Sequence, residues 1–190
     1  MATSNHAGYY VLGAGSPDMM LLYEPQNPSL RDRWMAGRRF QKQPKVPVVV
    51  EIQPNNELGV LLPYFGTATL MSDAFCDSLR EAGVDNLDLY DAVIRSQDGS
   101  VVHGGYKAFN LIGVIKAADL SHTIFNDPGP RLFDASINAL AIDAGKARGL
   151  LMFRLAEYVA AVMVHENVKR ALEAKRFPHV VFRDPSEFIS

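Results

Sequence analysis

The chain has 190 residues, of which 48% are hydrophobic and 21% are charged, and its formal net charge at pH 7 is −2. This composition is typical of a globular protein with its own hydrophobic core, and the length fits one domain or two small lobes. The nearly balanced charge gives no general attraction to nucleic acid or to an anionic membrane surface, so we expect neither as a partner.

The N-terminus has neither a basic segment nor an apolar run typical of a signal peptide, and no stretch approaches the ~20 apolar residues of a membrane span. We therefore expect the protein to stay in the cytoplasm. The single cysteine, Cys76, excludes an internal disulfide and a cysteine-based zinc cluster. Because adjacent Asp77 disfavours the thiolate, we expect Cys76 to be a small buried apolar residue.

The first third of the chain is interrupted by prolines too often for long helices. Short strands are predicted at residues 9–12, 19–23 and 46–52, and residues 31–45 form a basic, loop-like stretch. Within a single domain of residues 1–190, we predict that residues 1–45 are a proline-rich irregular segment and that 46–190 are the main body.

The middle of the chain has clearer helix and turn signals. Residues 67–71 are strand-like, Ser72 is a good N-cap, and apolar residues at helical spacing follow before Gly83. Another strand begins at Leu87, and Asp98-Gly99 predicts a hairpin turn before a strand at 106–115.

The last third repeats this order, with a strand at 160–164, a helix that ends before Pro178, and a strand at 180–182. A shift of 93 residues places six residues of the first unit on six of the second. The pairs are Leu70 and Met163, Met71 and Val164, Ser72 and His165, Phe75 and Val168, Leu79 and Leu172, and Leu87 and Val180. The matches suggest an internal duplication, although any strand-helix-strand unit alternates in this way. The sequence predicts an α+β fold with a mixed, mainly antiparallel sheet and a few short helices.

Local motifs for chemistry are incomplete. Gly13-Ala14-Gly15 has Asp18 where a dinucleotide fingerprint needs glycine, so it predicts a plain turn. His165-Glu166 has Lys169 where a zinc-protease helix needs its second histidine. His103-Gly104-Gly105 lacks an accompanying Gly-x-Ser-x-Gly elbow, so these glycines are expected to relax a strand or to form a bulge. We predict no catalytic residue, no cofactor and no metal site.

Charge patterning is the one positive feature. Acidic residues recur along the first helix and after it, at Asp73, Asp77, Glu81, Asp85 and Asp88, whereas the second helix is rich in lysine and arginine. One interpretation is two solvated helix faces. The other is a polarised molecule whose acidic side meets a basic partner, and it makes these five acids the candidate partner-binding residues.

The C-terminal two thirds also resemble a known family. The matching segments are Ser72 with its helix, 86–90, 106–110, Asp119 with Ser121, 152–154 and 162–172. In these segments the chain resembles the immunity proteins of bacterial polymorphic toxin systems, once catalogued as a domain of unknown function. The family's second helix is expected to be capped by Ser or Thr, where this chain has His165. The resemblance implies a non-enzymatic inhibitor that binds a cognate toxin in interbacterial competition, as in type VI secretion.

The alternative is a small hydrolase or transferase whose site is assembled from dispersed residues. Its candidates are His103, Asp119, His122 and Asp134.

Overall fold

The computed structural model describes residues 8–125 and 137–189, and these form an α+β fold. The elements in chain order are β1 (Tyr9–Ala14), β2 (Val48–Glu51), β3 (Tyr64–Phe65), β4 (Leu70–Ser72), α1 (Asp73–Glu81), β5 (Leu87–Arg95), β6 (Val102–Leu111), β7 (Val114–Ile115), β8 (Ile124–Phe125), β9 (Ile137–Ala139), α2 (Ala144–Ala147), β10 (Met152–Leu155), β11 (Tyr158–His165), α3 (Glu166–Lys175), β12 (Val180–Arg183) and a 3₁₀ turn (Pro185–Glu187). The predicted class, a mainly antiparallel α+β protein with few short helices, is confirmed.

Two five-stranded sheets form the body of the protein. The first sheet has the order β12-β1-β11-β10-β7, and the second has the order β2-β5-β6-β4-β3. Neighbouring strands are antiparallel except at β7/β10 and β2/β5, and β8 and β9 form a separate ribbon. Because β1 lies between β11 and β12, the N-terminal segment contributes a central strand to the first sheet.

Each sheet contains one strand-helix-strand unit, β4-α1-β5 in the second sheet and β11-α3-β12 in the first. In both units the two strands flank a middle strand that is antiparallel to each of them, β6 in one case and β1 in the other. The middle strand follows the first unit in the chain but precedes the second. The repeat predicted from sequence is therefore confirmed as a structural repeat.

The register of the two units is the same. Ser72 pairs with Tyr106 and Leu87 pairs with Leu111, while His165 pairs with Tyr9 and Val180 pairs with Ala14. The pairs of the first unit become those of the second when 93 is added to each residue number of β4 or β5 and 97 is subtracted from each residue number of β6. Simple alternation of apolar residues does not require an identical pairing, so the two units share their architecture in detail.

Both helices begin at equivalent capping residues. Ser72 Oγ accepts a hydrogen bond from the Phe75 amide at 3.3 Å, and His165 Nδ1 accepts one from the Asn167 amide at 3.3 Å. The two capping residues have nearly the same extended backbone conformation. A ring nitrogen therefore takes the place of the hydroxyl that was expected at His165.

We expect Ser72→Ala to lower the free energy of unfolding by about 0.5–2 kcal/mol, because one of the free amides of the first turn of α1 loses its acceptor. Urea denaturation measures the change. Ser72→Asp retains an accepting oxygen and should lose less. An unchanged midpoint for Ser72→Ala would show that this bond contributes nothing to stability.

The hydrophobic core has three layers. The central layer lies among α1, α3 and the facing sides of the sheets, where Phe75, Leu79 and Phe109 are fully buried. The other side of the second sheet is covered by the N-terminal loop through Trp34 and Phe40. The other side of the first sheet is covered by the segment after β7 and by the C-terminal turn.

Three local predictions require correction. Residues 19–23 form two isolated bridges, Met19 with Val60 and Leu22 with Ile52, and no continuous strand. Gly13 and Ala14 are the end of β1 and not a turn, because β12 pairs with them. A Cβ at Gly13 would lie 3.2 Å from a Val181 methyl group, so the glycine admits this neighbour. The predicted strand 106–115 is divided at Gly113, where φ is +125°, into β6 and β7 of different sheets.

Several other local predictions are confirmed. The Asp98-Gly99 turn joins β5 to β6, with φ of +74° at Gly99. The register between β5 and β6 shifts where Gly104 and Gly105 stand opposite one residue, as a bulge requires. Cys76 is 1% exposed, and burial raises the pKa of its thiol to about 12.

Among the described residues, no helix is long and apolar enough to cross a membrane.

Candidate protein-binding surface

The acidic residues of α1 lie on its solvent side. The side chains of Asp73, Asp77 and Glu81 are 50%, 66% and 64% exposed, whereas Phe75 and Leu79 are fully buried. Residues four apart face the same side of a helix, so this arrangement is the one expected from their spacing.

One further acid extends this surface. Asp91 on β5 is 72% exposed, and Lys107 contacts both Asp91 at 2.5 Å and Asp73 at 3.6 Å. We define the acidic face as Asp73, Asp77, Glu81 and Asp91. The alternation of a strand could have identified Asp91, because it lies on the same side of β5 as Leu89, which packs toward the central core.

The other two predicted acids do not join this face. Asp88 pairs with Arg39 of the N-terminal loop, and its neighbour Asn110 donates to the Arg38 carbonyl at 2.8 Å. Asp88 therefore points to the side of the second sheet that is opposite to α1. Asp85 is exposed in the turn after α1, and its carboxylate makes no ion pair with a described residue.

The acids of the face have loose partners in the same chain. Asp77 lies 3.4 Å from Arg80 and Glu81 lies 2.8 Å from Lys175 on α3. These side chains are all about half exposed or more. Exposed pairs of this kind contribute between about 0 and 1 kcal/mol, so a binding partner can replace them at little cost.

The neighbouring helix α3 has two acidic and three basic residues, against three acidic and one basic on α1, and Asp73 corresponds to another acid, Glu166. Position for position, Asp77 corresponds to Arg170 and Arg80 corresponds to Glu173. Lys169 of α3 lies over the Tyr10 ring at 4.9 Å and pairs with Glu173 at 2.8 Å. The two equivalent helices therefore place an acidic and a mainly basic surface side by side.

The residues of the alternative enzyme hypothesis are only partly brought together. Asp119 Oδ2 lies 2.8 Å from His122 Nδ1, and Ser121 Oγ lies 3.0 Å from the same nitrogen. A Ser-His-Asp relay needs serine and aspartate on different ring nitrogens. Hydrogen bonds, first from Ser121 and then from His122, lower the pKa of Asp119 to about 2. This cluster closes an exposed loop.

The two remaining candidates of that hypothesis do not complete a site. His103 lies on β6 in the second sheet, and its buried Nε2 has no hydrogen-bond partner within the described ranges. Asp134 lies outside the described residues. No group of three potential metal-binding side chains occurs in residues 8–125 and 137–189.

A buried arginine was missed by the sequence analysis. Arg154 of β10 is 0% exposed, Nη1 donates to the Val159 carbonyl at 3.0 Å, and the guanidinium lies 5.6 Å from the Phe109 ring centre. Its Nε and Nη2 have no partner among the residues that the structure describes. Burial lowers the pKa of Arg154, with nearby Tyr64 acting in the opposite direction. The sequence feature that could have indicated this burial is an arginine between the apolar residues of β10.

A second buried charge holds the N-terminal loop. Asp32 is 1% exposed and accepts hydrogen bonds from the Gln41 amide at 3.0 Å, the Lys42 amide at 3.0 Å and the Ser29 hydroxyl at 2.8 Å. The Gln41 bond is the largest of the effects that lower the pKa of Asp32. The carboxylate thus ties together two ends of a loop that covers the second sheet.

We expect Asp32→Asn to destabilise the protein more at pH 7 than at pH 3. The folded-state pKa lies below the unfolded value of about 3.9. The carboxylate therefore stabilises fully above that value and loses its effect as the pH falls through the lower, folded-state pKa. Urea denaturation at both pH values tests this, with Asp85→Asn as the exposed control. An equal loss at both pH values would contradict the role of the ionised form.

Comparison with known proteins adds no relative. The chain matches no model of a known protein family, and a search of curated proteins finds no significant match.

Proposed function

We propose that this chain is an immunity-type protein that binds a cognate toxin in the cytoplasm of the producing bacterium and holds it inactive. The observation that carries the proposal is the acidic face on α1 and β5, next to a helix of equivalent position that has a small excess of basic residues. The resemblance of Ser72 with its helix, 86–90, 106–110, 152–154 and 162–172, and of Asp119 with Ser121, to immunity proteins of polymorphic toxin systems supports the same class.

The acidic face is suited to rapid and specific association. Its carboxylates are 50–72% exposed, and the ion pairs of Asp77 and Glu81 are weak enough to be exchanged for lysine or arginine of a partner. Complementary charge increases the rate of encounter and disfavours partners of the same sign. The partner is therefore a protein with a basic surface.

The support under the face is rigid. Phe75 and Leu79 anchor α1 in the central core, and α1 packs directly against α3. A pre-formed surface loses little conformational entropy on binding, so more of the contact energy remains as affinity. A pre-formed surface therefore favours tight inhibition by a small domain.

Co-expression tests the proposal. The product of the neighbouring gene is produced in a test bacterium alone and together with this chain. We expect that product to arrest growth alone, and we expect this chain to restore growth and to co-purify with it. A toxic neighbour that this chain neither neutralises nor binds would overturn the proposal.

A further inference from the structure

The outer edge of the second sheet is formed by β2. On its inner side β2 pairs in parallel with β5. In a parallel pair, alternate residues direct both backbone groups toward the same neighbour. The Ile52 amide donates to the Arg95 carbonyl, so the backbone N–H and C=O of Val48 and Val50 also point toward β5. The backbone N–H and C=O of Val49 and Glu51 point away from β5, to the outer edge. The bond from the Tyr23 amide to the outward Glu51 carbonyl agrees with this assignment.

The backbone of Val49 is an open position on this edge. Its outward N–H and C=O have no hydrogen-bond partner among the described residues, and neither does the outward Glu51 N–H. Exposed edges of this kind are a template for pairing with another strand, and native proteins usually blunt them with charge, proline or a covering loop. Here the covering loop reaches Glu51 through Tyr23 and stops there.

A groove of about 520 Å³ runs along this edge. Its walls include Tyr23 and Pro28 from one stretch of the N-terminal loop and Pro44 and Pro47 from another. Prolines have no N–H, so they cannot donate to an incoming strand, and the pairing groups lie on β2. A walled groove admits one extended segment, whereas the edge of a folded sheet would bring its neighbouring strands against the walls.

The groove has an apolar part and a part with charged side chains of both signs. Tyr23 is 44% and Val49 is 37% exposed, which is large for apolar side chains beside a strand. Arg95 lines the same groove, its guanidinium makes no hydrogen bond to a described residue, and its Nε is buried. The Glu51 carboxylate is 3.9 Å away, beyond hydrogen-bonding distance. Lys45 adds a second cation and Glu24 a second acid, and neither makes an ion pair among the described residues.

We infer that this groove binds an extended segment of a partner protein, which adds to the second sheet as a strand beside β2. Backbone pairing with Val49 supplies affinity, as in other examples of strand addition. Specificity comes from an apolar side chain that packs on Tyr23 and Val49 and from a carboxylate that accepts from Arg95. The inference rests on the β2 edge alone and does not depend on the acidic face or on a toxin partner.

Selection of peptides tests the inference. A phage-displayed heptapeptide library is selected on the wild-type chain and depleted on Val49→Pro, which removes the outward N–H at a position where proline is tolerated in an edge strand. Selected peptides are then synthesised and their binding is measured by fluorescence anisotropy. Val49→Thr keeps the N–H and the side-chain size and is the matched control.

We expect selected peptides to bind the wild type and Val49→Thr equally and to bind Val49→Pro at least tenfold more weakly. Peptides with an acidic residue should also lose about tenfold on Arg95→Gln. In the wild-type complex, amide exchange should slow at Val49 and Glu51. A library without enrichment over Val49→Pro, or a bound peptide that leaves exchange at Val49 unchanged, would overturn the inference. The exchange measurement uses only the wild type, so it decides the matter even when Val49→Pro does not fold.

Discussion

Arg154→Met should raise the free energy of unfolding by about 1–2 kcal/mol. Replacement of buried ionic groups by apolar residues of similar volume often raises the free energy of unfolding by roughly 1–4 kcal/mol. Loss of the hydrogen bond to the Val159 carbonyl lowers it by about 1 kcal/mol. Arg154 is fully buried, and two of its three guanidinium nitrogens have no partner among the described residues. Chemical denaturation of the two proteins measures the difference.

Two variants at the same site separate charge from packing. Arg154→Lys retains a buried cation but loses the planar contact with Phe109, so it should be less stable than the wild type. Arg154→Ala removes the charge but leaves a cavity, so it should be less stable than Arg154→Met. A loss of stability in Arg154→Met would show that the guanidinium stabilises the central core through its contacts with Phe109 and Val159.

Reversal of the acidic face should slow association with the partner. In the double variant Asp77→Lys and Glu81→Lys, attraction to a basic partner becomes repulsion, and we expect the association rate to fall roughly tenfold or more at low salt. The effect should shrink at high salt, because the screening length falls from about 30 Å at 0.01 M to about 8 Å at 0.15 M. Stopped-flow or surface-based kinetics at two salt concentrations measures both rates.

The chain provides a matched control on the neighbouring helix. Glu166→Lys with Glu173→Lys makes the same change in net charge on the adjacent helix α3, at residues that are not part of the acidic face. This control should change the association rate much less. If both double variants slowed association equally, the attraction would depend on net charge alone, and the acidic face would not be the interface. Neither change should affect folding much, because exposed pairs contribute about 1 kcal/mol at most.

The local signals in the sequence predicted α1, α3 and several turns correctly, whereas the short helix α2 was missed because Gly145-Lys146 was expected to be a turn. Ser72 and Gly83 bound α1 because capping and positive φ depend on single residues near the helix ends. The shift of 93 residues identified the repeat because equivalent units bury the same positions. Spacing also predicted that Asp73, Asp77 and Glu81 share one exposed side of α1.

Features that depend on distant parts of the chain could not be predicted in this way. Gly13 is in a strand only because Val181 pairs with it across the sheet. Alternation along β5 turns Asp88 away from the acidic face, but its pairing with Arg39 depends on the N-terminal loop and could not be predicted. Arg154 occupies the core because Phe109 and Val159, which are far apart in sequence, surround it. The groove at β2 depends on two stretches of the N-terminal loop, 23–28 and 44–47, that meet at one sheet edge.

The central claim is that this chain inhibits a partner by binding it, and titration of the purified partner tests that claim most directly. The toxic activity of the neighbouring gene product is measured while this chain is added in increasing amounts, at a partner concentration well above the dissociation constant. The account predicts that activity falls linearly and reaches a minimum at a fixed molar ratio. Full activity in the presence of excess folded chain would contradict it.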